Sequence, residues 1–221
     1  NFRITNIKYK LNRSIFDLII KIPNKKKMNI KNIEIPLIGF HNISNAAAAF
    51  ALTSHIGISK SLIKKSLKDF QGVERRFNKV FEFNGVTFFD DYAHHPTEIK
   101  EVLNGVKKSF LNKKVISIFQ PHRISRLNDL SKDFSKSFKN SDQVLLCPVF
   151  KAGEKIKLKF KYEKFARDIS KNSKALVIMV NQKQDLVNFF KNNLKGNEIV
   201  IGMGAGSISG WLKELKNFLK Q

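Results

Sequence analysis

Polar and apolar residues alternate along three early stretches of the chain, residues 2–9, 14–20 and, more loosely, 28–35. A period of two sends successive side chains to opposite faces, so these stretches predict antiparallel strands, with polar turns at Asn12-Arg13 and Pro23-Asn24-Lys25-Lys26. The run Ala46-Ala47-Ala48-Ala49-Phe50-Ala51-Leu52 predicts a helix, with Asn42 placed to cap it and Asn45 one turn in. After a break at Gly57, residues 59–68 predict a shorter helix with Leu62, Ile63 and Leu67 inward. Three strands and two helices bury too little apolar surface to stand alone, so this part requires further structure.

From residue 79 the pattern changes. Residues 79–83 and 86–89 predict a hairpin around Asn84-Gly85, a strong short-range hairpin signal. Strands at 86–89, 115–119, 144–149, 175–179 and 199–201 then alternate with helices at 97–110, 127–138, 162–170, 184–193 and 207–219. Continuous apolar strands between amphipathic helices predict an α/β domain with a mostly parallel, Rossmann-like sheet covered on both faces. The chain therefore divides into residues 1–78 and 79–221. Periodicity leaves the strand order open.

Composition changes this picture little. The 221 residues are 42% apolar, enough for a substantial core. With 41 Lys+Arg against 18 Asp+Glu the formal charge is +23, but the lysines are dispersed and lack aromatic interleaving or an RNA-binding motif. That favours a solvated surface attractive to anionic metabolites over a specific nucleic-acid interface. The lone Cys147 sits in an apolar run and reads as a buried strand residue. No uninterrupted apolar stretch reaches membrane-spanning length and the first residues do not form a signal peptide, so a cytoplasmic protein without membrane insertion is expected. The chain starts inside an apparent strand, from which a longer parent protein is expected.

Polar chemistry gathers where predicted strands end. Asp90-Asp91-Tyr92-Ala93-His94-His95-Pro96-Thr97-Glu98 joins a strand to a helix, where open α/β sheets hold ligands. A carboxylate there can accept from ligand hydroxyls, and an imidazole can contact phosphate or move a proton. Gln120-Pro121-His122-Arg123-Ile124-Ser125-Arg126 follows another strand, placing His122, Arg123 and Arg126 to meet an anion. Arg75-Arg76 occupies a connector, where a doubled arginine clamps phosphate, links two domains or is merely solvated. The turn Gly202-Met203-Gly204-Ala205-Gly206 lies too near the end of the chain for a dinucleotide fingerprint and reads as loop support. Adjacent residues of the Asp-His turn cannot all converge on one ion, so no dedicated metal site is assigned.

Taken with His41-Asn42-Ile43-Ser44-Asn45-Ala46, Glu74-Arg75-Arg76-Phe77 and Ala152-Gly153-Glu154, these motifs resemble, in order, the C-terminal portion of the Mur ligase family. The resemblance implies that residues 1–78 are the tail of a central ATP-binding domain and 79–221 the C-terminal α/β domain, with the N-terminal and remaining central segments upstream. It implies amide formation through an acyl phosphate in peptidoglycan precursor synthesis, using ATP and Mg2+. The loop at 120–126 points to the branch joining L-alanine to UDP-N-acetylmuramate. A tripeptide-recycling ligase and a non-catalytic anion- or nucleic-acid-binding module are the alternatives. In this scheme Asn42, Asn45, Arg76, Asp91 and Tyr92 contact the nucleotide, with Asp91 on the ribose. His94, His95 and Arg76 serve catalysis, while His122, Arg123 and Arg126 hold substrate carboxylates. Magnesium ligands and the phosphate loop are expected upstream, so residues 1–221 alone are expected not to ligate. Phe40 and Ile124 depart from the family's usual arginine and aromatic residue.

Overall fold

Residues 1–10, 13–21, 26–154 and 160–220 are described by a computed structural model of the protein. The turn positions Asn12, Pro23, Asn24 and Lys25 lie outside the described residues. The chain forms two compact units, residues 1–73 with 108–110, and 74–107 with the chain from 111 onward. Residues 74–78 thus go with the second unit.

In the first unit, β1 (Phe2–Lys10), β2 (Arg13–Ile20) and β3 (Met28–Ile35) form an antiparallel sheet in that order. Phe16, Leu18, Ile30, Ile33 and Ile35 pack on Ile43, Ala47 and Phe50 of α1 (Phe40–His55) and Ile63 of α2 (Lys60–Lys68). The looser alternation of β3 has a local cause. Asn32 takes a left-handed φ of 53°, shifting the inward positions from Ile30 to Ile33, and its N–H donates to Asp17 at 2.8 Å. Asn6, with φ 52°, donates its side-chain amide to the other Asp17 oxygen at 2.7 Å. These bonds, the Asn6 amide foremost, hold the Asp17 carboxyl below its ordinary range.

Two expectations fail here. Helix α1 begins at Phe40 with Gly39 as its N-cap, so Asn42 lies inside the first turn and does not cap it. Its side-chain amide donates to Ile38 O at 2.8 Å. In α2 only Ile63 is fully inward, whereas Leu62 is 55% exposed.

The second unit opens with β4 (Asn78–Phe83), β5 (Val86–Asp91) and α3 (Pro96–Ser109). Asn84 and Gly85 have φ of 47° and 74°, the doubly positive turn that Asn-Gly suits. Then follow β6 (Lys114–Phe119), α4 (Ile124–Asp129), α5 (Ser131–Ser135), β7 (Gln143–Leu146), α6 (Tyr162–Ser173), β8 (Leu176–Met179), α7 (Lys183–Asn193), β9 (Glu198–Met203) and α8 (Ile208–Lys220). The sheet order is β4-β5-β9-β6-β7-β8, parallel except for the edge hairpin strand β4. Phe88, Ile118, Leu145 and Val200 pack against Phe190, Leu212 and Leu215 in one core.

The helix predicted at 127–138 is instead two short helices broken at Leu130, yet Leu127, Phe134 and Phe138 all remain buried. Strand β7 stops at Leu146: the Cys147 N–H still bonds to Phe119 O at 2.9 Å, but Pro148 has no N–H with which to continue the ladder. Cys147 is buried as predicted, just beyond the strand. Among the described residues, no helix is long and apolar enough to cross a membrane.

Candidate functional site

Parallel pairing places Asp91, Met203, Phe119 and Leu146 level with one another on β5, β9, β6 and β7. Four loops therefore leave the carboxyl edge of the sheet side by side, and each carries polar groups singled out from the sequence.

Asp91 anchors the first loop. One carboxylate oxygen accepts from Phe77 N at 2.9 Å and the other from Ala93 N at 2.8 Å. Burial pushes this carboxyl up to about 6, opposed by the Ala93 N–H, the Arg76 charge and the Phe77 N–H, while Asp90 adds to the rise. The arginine doublet divides its work. Arg76 is exposed, whereas Arg75 donates from Nη2 to Gly204 O at 2.6 Å and lies 4.8 Å from the Tyr92 ring centroid. Tyr92 N in turn donates to Arg75 O at 2.7 Å. Arg75 Nε is 3.6 Å from Asp90 Oδ2, too long for a hydrogen bond, and that oxygen accepts from Ser209 Oγ at 2.6 Å.

The two adjacent histidines are held differently. His95 N-caps α3, its Nδ1 accepting from Thr97 N at 3.3 Å. His94 Nδ1 lies 2.8 Å from Tyr92 O and 3.5 Å from Glu98 Oε2. Glu98 Oε2 also accepts from the N–H groups of His94 and His95 at 3.0 and 3.1 Å.

The second loop meets the first through rings. The His94 centroid lies 5.0 Å from Tyr92 and 5.7 Å from His122, both edge-on, and His122 stacks on Phe150 at 5.8 Å. Arg126 Nη1 approaches His122 Nδ1 at 3.4 Å. Burial, then His94, Arg126 and Arg123, lower the His122 pKa, with Glu154 opposing. Arg123 precedes α4 with φ 72° and an exposed side chain. Glu154, from the third loop, accepts at the start of α4 from Ile124 N at 2.8 Å, Ser125 N at 3.3 Å and the Ser125 hydroxyl. The Ser125 hydroxyl is the main cause holding its carboxyl below the ordinary range.

The glycine turn supports these loops. Gln120 donates to Ser207 Oγ at 3.0 Å and accepts from Ile208 N at 3.0 Å, closing the turn onto the end of β6. A Cβ on Gly206 would stand 2.5 Å from Phe150 and 2.6 Å from Gln120 Oε1, so only glycine fits.

A family model described as Mur ligase, glutamate ligase domain, matches residues 75–206, over half the chain and spanning all four loops. The chain belongs to the Mur ligase family. It is 56% identical over 99% of its length to UDP-N-acetylmuramate--L-alanine ligase of Pelagibacter ubique, covering 47% of that protein. It is 37% identical over 95% of its length to the ligase of the same name from Bartonella tribocorum, covering 44%. The chain thus spans about half the length of the curated relatives it matches. The crystal structure of UDP-N-acetylmuramate-alanine ligase from Thermotoga maritima superposes with TM-score 0.79 at 24% identity over 99% of this chain and 46% of that one. For the murein peptide ligase of Psychrobacter arcticus the TM-score is 0.66 at 21% identity, over 99% and 44%. These two structural likenesses carry the Mur ligase fold.

Of the residues singled out, Tyr92, His94 and His122 meet directly, with Arg126 on His122 and Arg76 near Asp91. Asn42 and Asn45 belong to the first unit, half-buried and exposed respectively on α1. Glu98, Phe150 and Glu154 carry no role in the sequence reading, and Arg75, for which that reading left phosphate clamping, domain linking or solvation open, binds Gly204 O and covers Tyr92. Glu98 was legible as the acid three residues after a helix cap, and Glu154 as the acid of the Ala-Gly-Glu motif. Among the described residues no group of three or more His, Cys, Asp or Glu is arranged for a metal ion.

Proposed function

We propose that this chain supplies the C-terminal half of a ligase that joins L-alanine to UDP-N-acetylmuramate, consuming ATP. The single observation carrying this reading is the ring contact Tyr92-His94-His122 at the carboxyl edge of the sheet, flanked by Arg123 and Arg126. The curated relatives bearing that name, one of them 56% identical, support the choice of substrate.

An amine does not displace oxide from a free carboxylate, so the muramyl carboxylate is first phosphorylated and the amine then attacks the acyl phosphate. Arg76 and Tyr92 face the nucleotide in this scheme. Arg123 and Arg126 offer planar guanidiniums to the carboxylates of the two substrates. The ribose role for Asp91 draws on the second lone pair of an oxygen already holding a backbone N–H. Asn42 and Asn45 are the nucleotide contacts that the family resemblance implies for α1. Mg2+ ligands are assigned, on the family resemblance, mainly to protein outside the described residues, among which no group of three or more His, Cys, Asp or Glu is arranged for a metal ion.

The test is phosphate release by the full-length gene product with ATP and Mg2+. Release that needs both UDP-N-acetylmuramate and L-alanine is expected. Release with a tripeptide in place of L-alanine would favour the recycling ligase; RNA binding with a steep salt dependence and no turnover would favour the anion-binding module.

A further inference from the structure

Three histidines stand around the carboxyl edge, and their hydrogen bonds fix which ring nitrogen carries the proton. His95 Nδ1 faces a donor, the N–H of Thr97. His122 Nδ1 faces Arg126 Nη1, also a donor because guanidinium accepts nothing. In both neutral rings the proton therefore sits on Nε2. His94 is the reverse: its Nδ1 lies between the Tyr92 carbonyl and the Glu98 carboxylate, both acceptors here. Neutral His94 consequently carries its proton on Nδ1 and presents a lone pair at Nε2. Of the three rings, only this one is set to take a proton from a ligand while neutral.

We propose that His94 is the proton acceptor of the amide-forming step and Glu98 its positioning residue, an inference that rests on the ligase reading above. The amino acid arrives as an ammonium, with no lone pair. One N–H proton passes to His94 Nε2, and the freed pair attacks the acyl carbon. The bond from that carbon to the phosphate oxygen breaks, its electron pair leaving with phosphate. The departing phosphate takes the second nitrogen proton as the amide forms, and His94 returns the first to solvent. Glu98 faces the resulting imidazolium from α3, while His122 faces it from the loop after β6 with Arg126 behind. The depressed pKa of His122 suits that arrangement, keeping the neighbouring ring neutral while His94 is charged.

Nitrogen-15 spectra of the histidine-labelled full-length protein, assigned with His94→Gln and His122→Gln, test the tautomers. The Nδ1–H form is expected for neutral His94 and the Nε2–H form for His95 and His122; an Nε2–H form at His94 overturns the proposal. In kinetics, His94→Gln should lower kcat about 100-fold while hydroxylamine still traps the acyl phosphate, whose formation needs no base. Glu98→Gln keeps an oxygen for the two backbone N–H groups, so the cap survives while the charge facing the ring is lost. It should lower kcat roughly tenfold with KM for L-alanine unchanged, and Glu98→Asp should recover part of the loss. Full kcat in His94→Gln, in a preparation whose wild type turns over, overturns the proposal. A wild type that never releases phosphate with L-alanine instead removes the ligase reading, and the tautomer spectra separate the two failures.

Discussion

Asp91 binds a proton over a range of pH in which the unfolded chain has released it. Its ordinary value is near 3.8, and burial raises it to about 6 in the fold, so the stability it contributes falls as pH rises between those values. The shift corresponds to a loss on the order of 3 kcal/mol across that interval. Denaturant melts of wild type and Asp91→Asn should show a larger stability difference, wild type minus variant, at pH 4 than at pH 7. A carbon-13 titration of this carboxyl should have its midpoint near 6. Arg75 invites a second test at this scale. Arg75→Ala removes the bond to Gly204 O, uncovers the Tyr92 face and leaves buried Asp90 without its cationic neighbour. A loss of about 3 kcal/mol is expected in the same melts, whereas Arg76→Ala, at an exposed side chain, should cost under about 1 kcal/mol.

Among the elements, α4 shows how a short helix is held by something distant in sequence. Glu154 gathers three donors at its start, so Glu154→Ala should loosen residues 124–129, seen as faster amide exchange there than in β6. Helix α8 offers the opposite case. A Cβ on Gly210 meets nothing within 4 Å, so Gly210→Ala should raise stability by about 1 kcal/mol, measured by denaturant melts. Strands and most helices were legible from sequence because their apolar faces repeat at fixed periods. The break at Leu130 was not, since Leu127, Phe134 and Phe138 reach the core whether or not one helix is continuous. Site motifs were legible as residue types at strand ends. Opposite tautomers at His94 and His122 were not, because they depend on Tyr92 O, Glu98 and Arg126 arriving in three dimensions.

Among the described residues, the core cluster of the first unit shares no residue with the cluster that α7 and α8 form on the sheet of the second. Ile4 to Leu67 supply one, Val80 to Leu219 the other. Residues 74–221 produced alone should therefore unfold in a single cooperative thermal transition; a broad melt lacking a baseline would contradict this. Strand order, which periodicity left open, has a consequence for how the protein is made. Strand β9 sits between β5 and β6 although it is the last strand in the chain. On a ribosome, β5 and β6 emerge long before their shared neighbour and have nothing to pair with along those edges. At about 5–20 residues per second, the wait from residue 119 to residue 203 lasts several seconds. A nascent chain stalled before residue 198 would expose two apolar strand edges, making this stage of translation the one at which a chaperone matters most.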